Sequence, residues 1–195
     1  MIKKTDRKDD IKEALIKILE TDGVKGLTTA RIAEEVGFSD AAIFKYFKNK
    51  DAILDYALQD MLDIIKEIVN DIDTEFSDPM EKILNFAQLL LTELELKPGF
   101  YRLIYSDELH IGNEDLMSKL REVARVMYEA SNKFIIEAIK QGRIIDNIDV
   151  EWLSMGLYGC IHSAFMAKIL LGKKESIKDM AMKMMNITLM GVTTQ

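Results

Sequence analysis

The sequence is poor in the residues that build covalent or metal-held frameworks. Its 195 residues include one cysteine, Cys160, and two histidines, His110 and His162. One thiol excludes an internal disulfide framework and any multi-cysteine zinc or iron–sulfur site, and two histidines argue against a histidine-rich metal cage. No cofactor is therefore expected. Prolines number only two, Pro79 and Pro98, and there is no Ser/Gly linker, low-complexity tract or internal repeat. The opening MIKKTDRKDDIKEALIK has no apolar run of the kind a signal peptide carries. The longest apolar stretch, 153–171, is broken by Gly156, Gly159, His162, Ser163 and Lys168, short of the ~18–20 residues of a membrane span. A cytoplasmic protein without membrane association is the expectation. Positive charge is also lacking: the net charge is −7, which excludes a uniformly basic coat but not a local basic face.

The motifs of catalysis are missing too. There is no Gly-x-Gly-x-x-Gly, P-loop, His-Glu-x-x-His or Gly-x-Ser-x-Gly, and no Glu-x-x-His pair of the kind di-iron bundles need. Asp107-Glu-Leu-His110 is the nearest, and it stands alone. An enzyme is not expected; a helical-bundle enzyme is the remote alternative.

What is present is apolar material and helical periodicity. Hydrophobic residues make up 48% of the chain, enough for a substantial core. Ile11, Leu15, Ile18 and Leu19 give an amphipathic stripe over 6–22. Further helices are expected at 28–36, 40–47, from Asn49 or Lys50 to about 76, 79–96, 98–108, 113–141, 149–171 and 175–190. Gly23, Gly37, Gly142 and Gly172 serve as stops, and Asp78-Pro79-Met80-Glu81 is a capped start. Nothing alternates with period two. The fold class is thus all-α, with about nine helices. Charge divides the chain: residues 1–50 carry 11 Lys and Arg against 9 Asp and Glu, so the acidity lies in the remainder. Two domains are expected, 1–50 and 51–195.

Residues 23–54, GVKGLTTARIAEEVGFSDAAIFKYFKNKDAIL, are the informative stretch. Two short helices flank Gly37-Phe38-Ser39, where glycine permits a sharp turn and serine can cap the second helix. Ile32, Ala33 and Val36 can face Ile43 and Phe47. This is the helix-turn-helix plan, over about 28–47, with the second helix free to enter a DNA major groove. That helix would expose Asp40, Ala41, Ala42, Lys45 and Tyr46. Lys45, Lys48 and Lys50 give a local positive balance suited to phosphates. Asp40 serves equally as a helix-dipole residue, and Lys48 reads best as a solvated charge.

The segment resembles the TetR family of transcriptional regulators. The resemblance rests on Gly23, Leu27-Thr28-Thr29, Ile32-Ala33, Gly37-Phe38-Ser39, Ile43-Phe44, Tyr46-Phe47, Asn49-Lys50-Asp51 and Leu54, in register within about residues 7–58. It implies that Thr28 caps the first motif helix, and that Thr29 contacts phosphate or base. It places Ser39, Asp40, Ala41, Ala42, Lys45 and Tyr46 at the major groove and Lys50 on the backbone. Phe44 stands where the family's tyrosine usually touches a phosphate, and lacks the hydroxyl to do so. The implied function is a repressor that binds a palindromic operator as a homodimer and is released by a small lipophilic or aromatic effector. The alternative is a protein of the same fold without an inducer, acting through a protein partner in nucleoid or division control.

The acidic remainder must then hold a ligand, a second copy, or both. Gly156, Gly159 and Ser163 make a small-residue stripe, and seven of the 12 methionines lie between 155 and 190. With the resemblance, this implies a dimer interface of Trp152, Met155, Gly156, Gly159, Ser163, Met166, Met180, Met184 and Ile187. The candidate effector lining is Phe86, Leu90, Phe100, Tyr101, Ile104, Met127, Tyr128, Tyr158, His162 and Phe165, apolar walls with a few polar handles. The same stripes also read as plain core.

Overall fold

A computed structural model describes residues 6–194, with the side chains of Glu108 and His110 left aside. All nine expected helices form, and one is divided. They are α1 (Arg7–Thr21), α2 (Thr29–Val36), α3 (Asp40–Ile43), α4 (Lys50–Glu75), α5 (Pro79–Leu96), α6 (Gly99–Tyr105), α7 (Asp107–His110), α8 (Glu114–Lys140), α9 (Val150–Leu171) and α10 (Ile177–Met190). The helix expected over 98–108 is split into α6 and α7 because Ser106 takes an extended backbone, with φ −94° and ψ 105°. The ends are set locally. Side-chain oxygens of Asp6, Thr28, Asp149 and Ser176 accept backbone N–H groups two or three residues on, satisfying first-turn donors. Asn49, Asp78 and Asn113 do the same for Ala52, Met80 and Leu116.

The chain forms two compact units. The first comprises residues up to Asp63 together with Leu96–Val123, the second Ile64–Glu95 and Ala124 onward. The borders fall inside α4 and α8, not at residue 50. The segment 6–50 lies wholly within the first unit.

In the first unit Ile11, Leu15, Ile18 and Leu19 of α1 are fully buried, as the stripe predicts, with Ile32, Ala33, Ile43, Phe47, Ile53 and Leu54. α6 lies against α1 at very close range: a Cβ built on Gly99 would stand 2.0 Å from the Ile16 carbonyl oxygen. Only glycine fits that crossing.

In the second unit the core gathers Phe86, Leu90 and Leu91 of α5, Phe134 and Ile135 of α8, Leu157 and Ile161 of α9, and Met185 and Leu189 of α10. Phe86 and Phe134 meet edge to face, centroids 5.8 Å apart, a favoured ring geometry. Lys82 is buried and pairs with Asp73 at 3.1 Å and Glu137 at 3.0 Å. α9 is one unbroken helix through Gly156, Gly159 and Ser163. Val150–Leu170 is long and apolar enough by length and composition to cross a bilayer, as the core helix of a soluble protein also can be, and about a third of it is buried within the chain.

Candidate nucleic-acid interface

The first unit builds the helix-turn-helix from short-range chemistry. Thr28 Oγ1 accepts the Arg31 N–H at 3.1 Å and starts α2. Ile32 and Ala33 turn inward. Gly37 ends α2 with φ +76°, a left-handed conformation that strains any residue with a Cβ, and its N–H returns to the Ala33 and Glu34 carbonyls. The Phe38 N–H follows to the Ala33 carbonyl at 2.8 Å. Ile43 and Phe47 then enter the core, Phe47 meeting Tyr56 of α4 with centroids 5.5 Å apart.

α3 is shorter than the expected 40–47. Regular helix ends at Ile43, and the chain continues in a tighter turn, with Lys45 N–H to the Ala42 carbonyl and Tyr46 N–H to the Ile43 carbonyl. The Phe47 N–H returns to the Ile43 carbonyl at 3.0 Å, which keeps Phe47 on the inward side, and Asn49 caps α4 two residues on. The Ser39 side chain makes no cap bond, against expectation, and stays exposed.

The outward residues agree with the sequence reading in most places. Thr28, Ser39, Asp40, Ala41, Phe44, Lys45, Tyr46 and Lys48 are exposed, and Thr29, Ala42 and Lys50 are half-buried. Phe44 is 51% exposed. Tyr46 is not wholly free in direction, since its ring lies 6.4 Å from that of Phe38, nearly parallel. The Arg7 guanidinium stands 5.3 Å from the Phe38 ring, a cation–π contact the sequence reading missed. Lys50 lines an open groove with Asp51, Glu114 and Asp115, so its charge is set among carboxylates.

Two ionic clusters steady this scaffold. Arg31 joins Asp22 and Glu35, each at 3.0 Å, and Lys17 also holds Glu35. Bonds from Thr21 and Arg31 hold the Asp22 carboxyl below its usual range, and Lys17, then Arg31, do so for Glu35. The Arg31–Glu35 spacing of four was the available sequence signal. The second cluster, Lys12 with Asp60 and the Tyr56 hydroxyl donating to Asp9 at 3.1 Å, ties α1 to α4. Its partners lie some 47 residues apart, beyond any local pattern.

The second unit shows what became of the ligand candidates. Phe86, Leu90 and Tyr158 do line one apolar pocket, with Ser131, Leu157, Ile161 and Met185 among its other walls. Its free volume is only about 20 Å³, room for about one water. The Tyr158 hydroxyl donates to the Met127 carbonyl at 2.8 Å and lies 2.7 Å from Ser131 Oγ, while Tyr128 meets its ring edge-on at 4.7 Å. His162 is a correction: it lies on the exposed side of α9, since Ile161 takes the inward position. Met127, Tyr128 and Phe165 are half-buried and outside the lining. Phe100, Tyr101 and Ile104 belong to the first unit, so they do not join this pocket.

Of the proposed interface, Trp152, Met155, Gly156, Gly159, Ser163 and Ile187 are exposed, and Met166 and Met184 are half-buried. Met180 is a correction: it is buried within the chain, at the inward position beside Ala181 on α10. Cys160 is buried and its burial pushes the thiol pKa up, so it is poorly suited to nucleophilic chemistry. Among the described residues no group of three or more His, Cys, Asp or Glu could hold a metal ion.

A capped two-helix unit with an exposed, lysine-bearing second helix, at the start of an all-helical chain, defines a helix-turn-helix DNA-binding regulator. Residues 11–57 match the family model described as bacterial regulatory proteins, tetR family, so this segment is a TetR-type DNA-binding region. It is 31% identical over 122 residues to the nucleoid occlusion factor SlmA of Vibrio vulnificus (strain YJ016), 62% of each chain. The chain thus spans less than two thirds of the length of that relative. It is 28% identical over 165 residues to SlmA of Aliivibrio fischeri (strain MJ11), 84% of each. The fold is also that of the regulator FadR from Bacillus subtilis, solved in complex with stearoyl-CoA, with TM-score 0.77, 21% identity, and 94% of this chain and 98% of that one covered.

Proposed function

We propose that the protein binds a twofold-symmetric duplex DNA site as a homodimer in the cytoplasm and represses transcription from it. The observation that carries this reading is the outward set Ala41, Phe44, Lys45 and Tyr46 on a second motif helix whose inward residues, Ile43 and Phe47, are fully used by the core. Thr28, Thr29, Ser39 and Lys50 supply hydroxyls and one cation for phosphates, and Asp40 and Ala42 complete the face toward the groove. The exposed stripe Trp152, Met155, Gly156, Gly159, Ser163 and Ile187, rimmed by Met166 and Met184, supports pairing with a second copy, which would set two recognition helices about one turn of DNA apart.

The second unit supplies the control. The pocket walled by Phe86, Leu90 and Tyr158, with about 20 Å³ free, has no room for an effector as it stands, which supports control through a protein partner. The Ser131–Tyr158 pair within an apolar pocket supports the other reading, a lipophilic effector such as the stearoyl-CoA of Bacillus subtilis FadR. An acyl chain would have to part α5, α8, α9 and α10 to enter.

The test is selection of duplexes from a random library by the purified chain, then anisotropy titration against salt. Binding to a symmetric site is expected, with log K falling by about 0.9 per neutralised phosphate for each decade of salt. Failure to enrich any duplex would overturn the reading. Addition of fatty acyl-CoAs to the complex then separates the two forms of control, since only an inducer-type protein would release its site.

A further inference from the structure

The recognition helix offers Ser39, Asp40, Lys45 and Tyr46 as hydrogen-bonding side chains but none with a planar amide or guanidinium. Between Gly37 and Lys48 there is no Arg, Asn or Gln, the side chains that grip purine edges bidentately. The adjacent Asn49 is engaged elsewhere, its Oδ1 accepting the Ala52 N–H at 2.9 Å. Beside the exposed Asp40, Lys45 and Tyr46 the motif also shows an apolar pair to solvent. Ala41 and Phe44 are three residues apart, hence on one face, and Phe44 keeps half its surface in water although it has no group that water can serve. Ala41 has nothing beyond Cβ, which lets that face come close to a groove floor.

The thymine C5-methyl is the apolar group that base edges present in the major groove. We infer that Phe44, with Ala41 beside it, reads a thymine methyl in each half-site, making Phe44 a specificity-determining residue rather than a phosphate contact. This rests on the DNA-binding reading above and goes beyond it by assigning the chemistry of discrimination. Lys45 supplies attraction without much choice, because an ammonium on a flexible stem pairs with phosphates and guanines alike. Discrimination by Phe44 comes from burial: a methyl that enters the space beside the ring removes apolar surface of both from water.

The experiment starts from a duplex selected by the full chain. Each thymine is replaced in turn by deoxyuridine, which deletes only the methyl, and Kd is measured at fixed salt. The expected result is one position per half-site where the change weakens binding about fourfold, the worth of one buried carbon unit, and about fifteenfold when both half-sites are changed. In Phe44→Ala, whose far-UV spectrum should be unaltered because the side chain is outside the core, the same deoxyuridines have no effect. Phe44→Leu keeps the sensitivity. Indifference of the wild type to every deoxyuridine overturns the inference and leaves DNA binding standing, with Phe44 then lying on the sugar-phosphate backbone. Undiminished sensitivity in Phe44→Ala overturns it too, by assigning the methyl to another residue. A chain that selects no duplex overturns the functional reading itself.

Discussion

Lys12 of α1 reaches Asp60 of α4 with 2.8 Å between nitrogen and oxygen, and only 5% of Lys12 is exposed. Asp9 and Glu13 lie within 3.4 and 3.5 Å of the same ammonium. Burial alone would lower the lysine pKa, but the hydrogen bond and charge of Asp60, helped by Asp9 and Glu13, leave it raised. Removing the cation strands the carboxylates, and breaking such a pair costs about 3 kcal/mol. Lys12→Met should therefore lower stability in urea by about that much, while Lys12→Met with Asp60→Leu recovers most of it, since a packed apolar pair replaces a desolvated ionic one. A raised lysine pKa contributes stability that is complete below the unfolded value, ~10.4, and fades as pH climbs through the folded value. Wild-type stability should fall in that alkaline window more steeply than that of the double variant. Equal slopes would refute the coupling.

Gly99 makes a second, purely steric prediction. A methyl there would meet the Ile16 carbonyl oxygen at 2.0 Å, and backbone cannot yield as a flexible side chain would. Gly99→Ala should push α6 off α1 and cost about 2–3 kcal/mol, as overpacking does. In a chain of this length that is a drop of roughly 4–12 °C in Tm. A Tm unchanged within error would show that α6 slides freely along α1.

These two relationships mark where the sequence stops being legible. Caps such as Thr28, Asp78 and Asp149 could be read because each acts within three residues of itself. The inward set Ile32, Ala33, Ile43 and Phe47 could be read because the motif fixes its spacing. Lys12–Asp60 and Gly99–Ile16 could not, because they join residues 48 and 83 positions apart whose meeting depends on the packed fold. The early end of α3 leaves no signal in the sequence, since Ile43 and Phe47 keep the spacing of one helix face, and the outward His162 follows from Ile161 taking the inward side of α9. The closure of the pocket is a matter of volume, which periodicity does not encode.

Tyr158 tests how that interior is held shut. Its hydroxyl serves the Met127 carbonyl and Ser131 Oγ together, so Tyr158→Phe leaves two partly buried polar groups without this partner. The expected cost is about 1–2 kcal/mol by chemical denaturation. Ser131→Ala combined with Tyr158→Phe should cost less than the sum of the single changes, because the first partner lost already unties the second. Strict additivity would mean that the hydroxyls act independently.

The paired-copy reading makes the sharpest prediction, because two effects of one substitution oppose each other. Within one chain a Cβ on Gly156 or Gly159 meets nothing within 4 Å, so a larger residue is free of clashes there. Leucine in mid-helix is also favoured over glycine by roughly 0.8 kcal/mol. An isolated chain carrying Gly159→Leu should therefore be as stable as the wild type or more so. Trp152 and Ile187, however, leave about 69% and 70% of their surface in water, more apolar exposure than a lone chain gains from. If a second copy covers them through the glycine stripe, leucine at 159 holds the two helices apart. Sedimentation should then show a folded monomer, and affinity for the symmetric site should fall by ~10²-fold or more as one half-site is left to bind alone. A Gly159→Leu protein that remains dimeric with a higher Tm would place the interface elsewhere on the molecule.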